Sequence, residues 1–286
     1  MTVSLMIKYR AGKAIFLVSL VLAAGNCASL QPPSATAPRG NEPVYPVLFV
    51  EDSHRKEAAI AAVNRFNQSS TSQASPHVQP ITSTIESLPP NPSTPLYLPK
   101  LGAGAVMNEE ETRESLRRFI AEWQDLIGSD PAKLSLVERL DQPDGSKVAN
   151  YEQRPFRYPI RGHYGELEIR FTTDRRVLNV SSTCIPDADR IQPALAAVNN
   201  RLTAEDAIKQ LQGNDVSYKD TQGNRLNFKV PASAEIKPRE LVIYISPSKD
   251  HPDALEFHIA WEIELSNAPV KTVYLDAVNS EVIAAE

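Results

Sequence analysis

One stretch near the C-terminus, residues 255–265, constrains the fold more than any other. Its odd positions all carry large apolar side chains: Leu255, Phe257, Ile259, Trp261, Ile263 and Leu265. Its even positions carry Glu, His or Ala. Strict alternation over this length is typical of a β-strand with one buried face, because successive side chains of a strand point to opposite sides. We therefore predict a strand whose odd face is buried and whose even face is acidic and solvated.

Two shorter strands are predicted after this run. Residues 266–269 have turn composition, and residues 270–276 are rich in β-branched and aromatic side chains. Residues 281–283 offer a third strand, and a strand at 240–245 precedes the whole unit. The C-terminus is therefore predicted to be a three-stranded antiparallel meander, which needs a helix to cover its apolar face.

Upstream of the meander, the spacing of apolar residues predicts three helices. The first begins at Asn108 with a capping box, and its apolar stripe ends before Gly128. The second spans residues 187–198, and the third, residues 203–211, is the predicted cover of the meander. Between the first two helices, strands are predicted at 134–140, 147–153, 156–161, 164–172 and 177–184. The predicted fold class is α+β, with two consecutive small modules that each pack an antiparallel sheet on a helix.

The first 26 residues have the composition of an export signal. Three basic residues and no acid precede an apolar run at 14–24, which is too short to span a bilayer. We predict that residues 1–26 are a signal peptide and that the mature protein is secreted, periplasmic or attached to the envelope. Two processing routes stay open. Cleavage after Gly25 would release the protein, whereas processing at Cys27 would attach a lipid, which is the only membrane contact that we expect.

Residues 27–107 form a Pro/Ser/Thr-rich segment that precedes the two modules. Twelve of the 23 prolines lie between residues 31 and 100, and such a composition does not bury a core of its own. Two islands interrupt it, a candidate strand at 44–50 and a short helix at 52–66 with an apolar face. We expect a partly disordered tether. The alternative is that the short helix docks on the folded part.

The predicted meander resembles the end of a PepSY module, the C-terminal half of the propeptides of thermolysin-type and fungalysin-type metalloproteases. The resemblance rests on residues 259–261, 273–277 and 281–283, in that order and with a turn before the last. The family usually has Gly where this chain has Ser280, so the turn departs from the family pattern. The helix at 203–211 resembles the opening helix of the same module.

The preceding region is similar to the other half of those propeptides, the FTP (fungalysin/thermolysin propeptide) module. Residues 151–153, 158–160 and Gly162 follow the order and spacing of the family motif, and the alternating strand at 167–171 comes next. Arg175 stands where the family commonly has Gly after Asp. The resemblance therefore keeps the strands of the motif and loses some of its turn residues.

Together the two resemblances divide the chain into an FTP-like module at 108–186 and a PepSY-like module at 187–286. Tandem modules in this order imply a propeptide-like protein. The motif positions that become candidates for binding are Tyr151, Gln153, Gly162, Trp261, Tyr274 and Asp276. For Tyr151 and Gln153, packing into the core is an equally open interpretation, and Trp261 is most simply a core residue.

The sequence carries no signature of catalysis. None of its five histidines is followed by Glu, so the His-Glu-x-x-His pattern of zinc peptidases does not occur. A Gly-x-Ser-x-Gly elbow and a Gly-rich phosphate loop do not occur either. A buried, inert thiol is the expectation for Cys184. The net charge of −5 argues against nucleic-acid binding. We expect no enzymatic activity, no metal and no cofactor.

The resemblance implies a function for such a protein. Propeptide modules assist the folding of extracellular proteases and occupy their active-site clefts. We therefore expect a non-catalytic protein that binds, inhibits or chaperones an extracellular metalloprotease, or another envelope protein, in trans. One alternative is a structural or sensory envelope protein that uses the modules as a scaffold. Another is a small-molecule-binding protein or an enzyme, against which only the absence of motifs counts.

Overall fold

Two main sheets with helices packed against them form the described part of the chain. The structure, a computed structural model, describes residues 44–50, 52–69, 75–89, 95–104, 106–199, 202–219 and 222–286. It is mostly β-sheet with a few helices, which confirms the mixed α+β class. The predicted signal peptide and Cys27 lie outside the described residues. None of the described helices is long and apolar enough to cross a membrane.

The N-terminal part of the described chain is packed against the main sheets. Its elements are β1 (Val47–Val50), α1 (Ser53–Ser69), β2 (His77–Val78) and β3 (Ile85–Ser87). β1 joins a strand near the C-terminus, and α1 buries Ala62 and Phe66 in the core of the first sheet. The expected tether is therefore wrong for these residues, and the alternative of a docked helix is correct. The apolar side chains of the two islands bury surface despite the Pro/Ser-rich chain around them.

The first sheet is made by the middle of the chain. In chain order this region holds α2 (Glu109–Glu122), the single turn α3 (Gln124–Ile127), a 3₁₀ turn (Pro131–Lys133), β4 (Leu134–Asp141), β5 (Ser146–Gln153), β6 (Ile160–Arg161), β7 (Glu166–Thr172) and β8 (Val177–Ser182). The order β4-β5-β7-β8 is antiparallel throughout. Its inner face packs on α1, α2 and α3.

The start and the end of the first predicted helix are confirmed. The Asn108 side chain accepts a hydrogen bond from the Glu111 amide, and the Glu111 carboxylate accepts one from the Asn108 amide, so the capping box closes. Gly128 ends α3 with φ of 83°, a left-handed conformation that favours glycine. The apolar stripe includes Leu116 and Phe119, which are buried against the sheet.

The C-terminal part of the chain builds the second sheet. Its elements are α4 (Ala188–Ala197), α5 (Ala204–Leu211), β9 (Asp215–Lys219), β10 (Arg225–Lys229), β11 (Glu235–Pro247), β12 (Ala254–Ser266), β13 (Thr272–Asp276) and β14 (Val282–Ala285). The strand order is β14-β13-β12-β11-β6, and β1 also pairs with β12. The hairpin of β9 and β10, which the sequence did not predict, packs beside β14.

The predicted meander and its cover are confirmed. β12, β13 and β14 pair antiparallel in sequence. The odd positions of β12 are buried, with Trp261 half-buried between two clusters of core residues. α5 begins at its predicted cap, since Thr203 accepts a hydrogen bond from the Asp206 amide, and it places Ala207 and Leu211 in the core under the C-terminal half of β12.

The even face of β12 is less solvated than we predicted. Ala260 is fully buried in one cluster with Tyr244 and Tyr274, whose rings are tilted to each other with centroids 4.6 Å apart. Glu262 is half-buried and ion-paired with Arg161 at 2.6 Å. The prediction of an acidic, wet face was therefore wrong for its middle. The residues that cover it come from neighbouring strands, and alternation within one strand does not show them.

The predicted strand at 156–161 also behaves differently from the expectation. Only Ile160 and Arg161 are in a strand, β6, and they pair in parallel with β11 of the second sheet. Phe156 and Tyr158 pack into the core of the second sheet instead. The loop between β5 and β7 therefore leaves the first sheet and binds the edge of the second.

Candidate functional site

The motif positions Tyr151 and Gln153 face inward from β5. Tyr151 lies in the core of the first sheet, and desolvation raises the pKa of its hydroxyl to about 12. Gln153 donates from Nε2 to the Ile185 carbonyl at 2.9 Å and accepts from the Ile185 amide at 2.7 Å. The Gln153 side chain thus pairs with the backbone just after β8, where the chain passes from the first sheet to α4.

Gly162 allows the loop after β6 to approach β11. Its φ is 89°, and a Cβ at this position would lie 2.2 Å from the Ile245 carbonyl oxygen. Any other residue would therefore clash with the backbone of β11. This is a concrete reason for glycine at the motif position, and it concerns the packing of the loop.

A cleft of about 290 Å³ lies between the two sheets and brings three motif positions together, and we call it the inter-sheet cleft. Gln153, Gly162 and Tyr274 all line it. Desolvation, and then the negative charges of Glu286 and Glu262, raise the pKa of Tyr274 to about 12. The Tyr274 hydroxyl therefore keeps its proton at neutral pH and is available as a hydrogen-bond donor.

The two arginines that line the inter-sheet cleft form ion pairs with carboxylates. Arg161 donates to Glu262 at 2.6 Å and to Glu240 at 3.4 Å. Arg154 pairs with Glu152 at 3.1 Å. Such an arrangement offers polar groups to a peptide backbone.

Trp261 connects the two apolar clusters on the odd face of β12. Its ring packs against both, and its Nε1 donates to the Leu202 carbonyl at 3.0 Å. The indole therefore fixes the residue that leads into α5. This is a structural role, and a core position was the simplest interpretation of Trp261 from the sequence.

Asp276, the last motif position, is the centre of a buried polar network. It is 2% exposed and accepts hydrogen bonds from the Val278 and Asn279 amides at 2.8 and 3.0 Å. Its Oδ2 also lies 2.8 Å from Nδ1 of His258 and accepts a hydrogen bond from the Tyr45 hydroxyl at 2.9 Å. Burial acts to raise the pKa of Asp276, but the hydrogen bonds from these partners outweigh it and lower the pKa.

The network extends along β12 to Ser248. Nε2 of His258 lies 3.4 Å from Glu256, and the other oxygen of Glu256 accepts from the Ser248 hydroxyl at 2.7 Å. A serine nucleophile would need the imidazole as its neighbour. Here Glu256 stands between Ser248 and His258, so the geometry does not match nucleophilic catalysis. Its evident effect is to tie Tyr45, from the N-terminal segment, to the second sheet.

Sequence reasoning missed Tyr45 and His258 as partners of Asp276. The alternating island at 44–50 indicated a strand, and Asp276 was singled out as a motif position. No local pattern, however, links two residues that are 231 positions apart.

A further surface of interest is the outer edge of β4. β4 pairs with β5 on one side, and no strand of the described chain pairs with its other side. Val137 is 55% exposed and Leu140 is 39% exposed on this strand. Val137 lies at a register shift between Leu136 and Glu138, which is a β-bulge.

Neither Cys184 nor a cluster of metal-ligating residue types adds a site in the described part of the chain. Cys184 is buried, as expected, and desolvation raises the pKa of its thiol to about 12. Within the described ranges, no group of three or more His, Cys, Asp or Glu residues is placed to hold a metal ion. When the sequence is compared with protein-family models and with curated proteins, it matches neither a family model nor a curated protein.

Proposed function

We propose that this chain is a non-catalytic, extracytoplasmic protein that binds a protein partner through the outer edge of β4. The partner that best fits the propeptide resemblance is an extracellular metalloprotease, which the chain inhibits or helps to fold in trans. The observation that carries the proposal is the eight-residue β4, which has two exposed apolar side chains and one edge that no strand of the described residues pairs with.

The backbone of β4 is suited to accept a partner strand. The backbone amide of Gln153 donates to the Gly165 carbonyl, so Gln153 and every second residue before it on β5 direct their backbone groups toward β7. The β4 residues opposite these positions therefore direct their own backbone groups away from β5, to the outer edge. Leu136 and Arg139 are such residues, because they lie opposite Tyr151 and Ala149. Outward amides and carbonyls at a sheet edge are the groups that bind an extended peptide by strand addition.

The other sheet edges are less suited to this role. β8 is flanked by the segment at 84–88, since Thr84 donates to the Ser182 carbonyl and the Leu88 amide donates to Asn179. The free part of β11 contains Pro238, which has no amide hydrogen to offer. β14 has the β9–β10 hairpin beside it. β4 contains no proline, and its outer side is open among the described residues.

The side chains of β4 add selectivity. Val137 and Leu140 present apolar surface, and Glu138, Arg139 and Asp141 place charges between and beside them. The bulge at Val137 and these charges disfavour indiscriminate pairing. A partner strand must therefore match both the apolar positions and the charge pattern.

The inter-sheet cleft lies near the start of β4, and its lining residues come from β5, β6, the start of β7 and the loops beside them, β13 and the C-terminus. Leu134, at the start of β4, lies opposite Gln153, which lines the cleft. The Arg154 amide donates to the Lys133 carbonyl, so the end of β5 and the start of β4 are joined there. A strand added to β4 has one end near the cleft, whose polar groups receive the continuing peptide.

The experiment measures binding of the full chain to a purified thermolysin-type metalloprotease by biolayer interferometry, and inhibition of its casein hydrolysis. The V137K/L140K double variant should bind at least about tenfold more weakly, because a lysine pair removes the apolar contacts of the edge. L178K is the matched control, since Leu178 is 38% exposed on the opposite edge strand, β8, and it should bind like the unaltered chain.

Three outcomes would each contradict a different part of the proposal. If the unaltered chain does not bind the protease, the assignment of a metalloprotease as the partner is wrong, and the scaffold alternative is favoured. Equal binding by the V137K/L140K and unaltered chains would place the interface elsewhere. The chain alone, supplied with zinc, should leave casein intact, and an EDTA-sensitive hydrolysis that survives further purification would overturn the non-catalytic assignment.

A further inference from the structure

β1 fills a gap in the second sheet. β13 pairs with β12 from Glu264 back to Ala260, where it ends at Asp276. Beyond that point, β1 takes over the same edge of β12, with Val47 opposite Phe257 and Val50 opposite Ala254. Without β1, the N-terminal half of β12 would have an open edge beside the end of β13. We call this edge the strand groove.

The inner end of the strand groove recognises a hydroxyl group. The Ile259 amide donates to the Tyr45 hydroxyl at 2.9 Å, and that hydroxyl donates to the Asp276 carboxylate at 2.9 Å. A phenol hydroxyl satisfies both groups at once, since it is a donor and an acceptor. A Phe side chain in the same place would leave a buried amide and a buried carboxylate short of a partner.

The rest of the strand groove recognises alternate apolar side chains. Val47 and Phe49 are buried in the core of the second sheet, where the Phe49 and Phe257 rings lie 6.5 Å apart. Val44, Leu48 and Val50 are exposed. The groove therefore selects a peptide with Tyr at its first position, which forms a strand from its third position and carries apolar residues at its third and fifth positions.

The recognition groups are held in place by their own sheet. The Val278 and Asn279 amides and His258 all bind Asp276, independently of Tyr45. The Ile259 carbonyl accepts from the Ala277 amide at 2.8 Å, which fixes the backbone at the junction of β12 and β13. The Ile259 amide and the Asp276 carboxylate, which bind the Tyr45 hydroxyl, are thus held in place by residues outside the occupying segment.

The occupying segment has a small footprint. Its ladder with β12 covers four residue pairs, and only two of its side chains beyond Tyr45 enter the core. From this combination of a preorganised groove and a short occupant, we infer that the strand groove is a second peptide-binding site. It takes a peptide in trans that forms a strand from its third position, supplied by a partner protein with the pattern Tyr-x-apolar-x-aromatic, and residues 45–50 are its built-in competitor. This site is separate from the β4 edge.

The test uses the full chain and a fluorescein-labelled peptide of residues 43–50 with a C-terminal lysine tag. The V47A/F49A double variant weakens the competitor and keeps the groove. Because apparent affinity scales with the fraction of chains whose groove is open, this variant should bind the peptide at least about tenfold more tightly than the unaltered chain in fluorescence anisotropy. Circular dichroism verifies that the variant stays folded.

A second peptide keeps the test independent of the protein variant. The peptide with Phe in place of Tyr should bind V47A/F49A at least about tenfold more weakly, since it lacks the hydroxyl. Equal affinities for the two peptides would overturn the inference, as would failure of the Tyr peptide to bind V47A/F49A more tightly than the unaltered chain.

Discussion

The outer edge of β4 and the N-terminal half of β12 are two sheet edges that the chain handles in opposite ways. β4 keeps an edge without a partner strand among the described residues and carries a bulge and charged side chains there. The edge of β12 is filled by β1, whose register continues where β13 stops. Both devices prevent uncontrolled pairing of strands, but they leave different surfaces for a partner.

The difference lies in what holds each edge in its state. Charged side chains and the bulge protect the edge of β4 from uncontrolled pairing with other strands. A partner strand with complementary charges and a complementary backbone shape can still pair with this edge. β1 is held by apolar burial at Val47 and Phe49 and by the hydroxyl contact of Tyr45 with Asp276. The filled edge should therefore contribute more to stability than the open edge does.

The largest expected effect is at the buried base of the filled edge. Phe257→Ala removes a fully buried ring that contacts Phe49 and Phe156, and such truncations cost about 3–5 kcal/mol of unfolding free energy. Val137→Ala on β4 should cost within about 0.5 kcal/mol, because the side chain is exposed. Urea unfolding measures both. Similar losses for the two variants would remove the distinction between the edges.

A smaller effect is expected at the polar end of the filled edge. Tyr45→Phe keeps the ring, but it removes the hydroxyl that serves Ile259 and Asp276. Leaving a buried partner unsatisfied costs about 1–3 kcal/mol. Tyr97→Phe is the control, since Tyr97 is an exposed tyrosine next to the first sheet, and it should be neutral. If Tyr45→Phe is also neutral in urea unfolding, the hydroxyl contact does not hold β1.

The smallest expected effect is a dependence on acid pH. Hydrogen bonds lower the pKa of Asp276 in the folded chain, so its contribution is complete above the ordinary Asp pKa of about 3.9 and is lost as pH falls through the lower folded value. The unfolding free energy should therefore decrease on acidification below about pH 4, and Asp276→Asn should decrease less. Urea unfolding at several pH values compares the two chains. Parallel pH profiles would contradict this role of Asp276.

Local features of this fold could be predicted from the sequence. Alternation predicted β12 and its buried face, and cap residues predicted where α2 and α5 begin. These features depend on residues within one turn or one strand, where side-chain spacing and hydrogen bonding act directly. The strand at 134–140 was also predicted, but its position at an edge depends on the order of strands in the sheet.

Long-range pairing could not be predicted. β1 with β12 and β6 with β11 join segments that are far apart in the chain, and each short strand carries too few side chains to specify its partner. The polar network shares this limit, because Tyr45 and His258 become partners of Asp276 only after β1 docks. The partial burial of Glu262 could not be predicted for a related reason. Its partner Arg161 reaches it from the loop between β5 and β7, which is distant in sequence.

Hydrogen–deuterium exchange resolved to single amides tests the contrast between the two edges most directly. The backbone amides of Leu255, Phe257 and Ile259 are on the side of β12 that is turned away from β11. They should be protected from exchange by β1 and Tyr45 as strongly as the amides of β12 that pair with β13. The amides of Leu136 and Arg139, at the outer edge of β4, should exchange much faster. Fast exchange at Ile259, equal to that at Leu136, would contradict the filled edge and the inferences that depend on it.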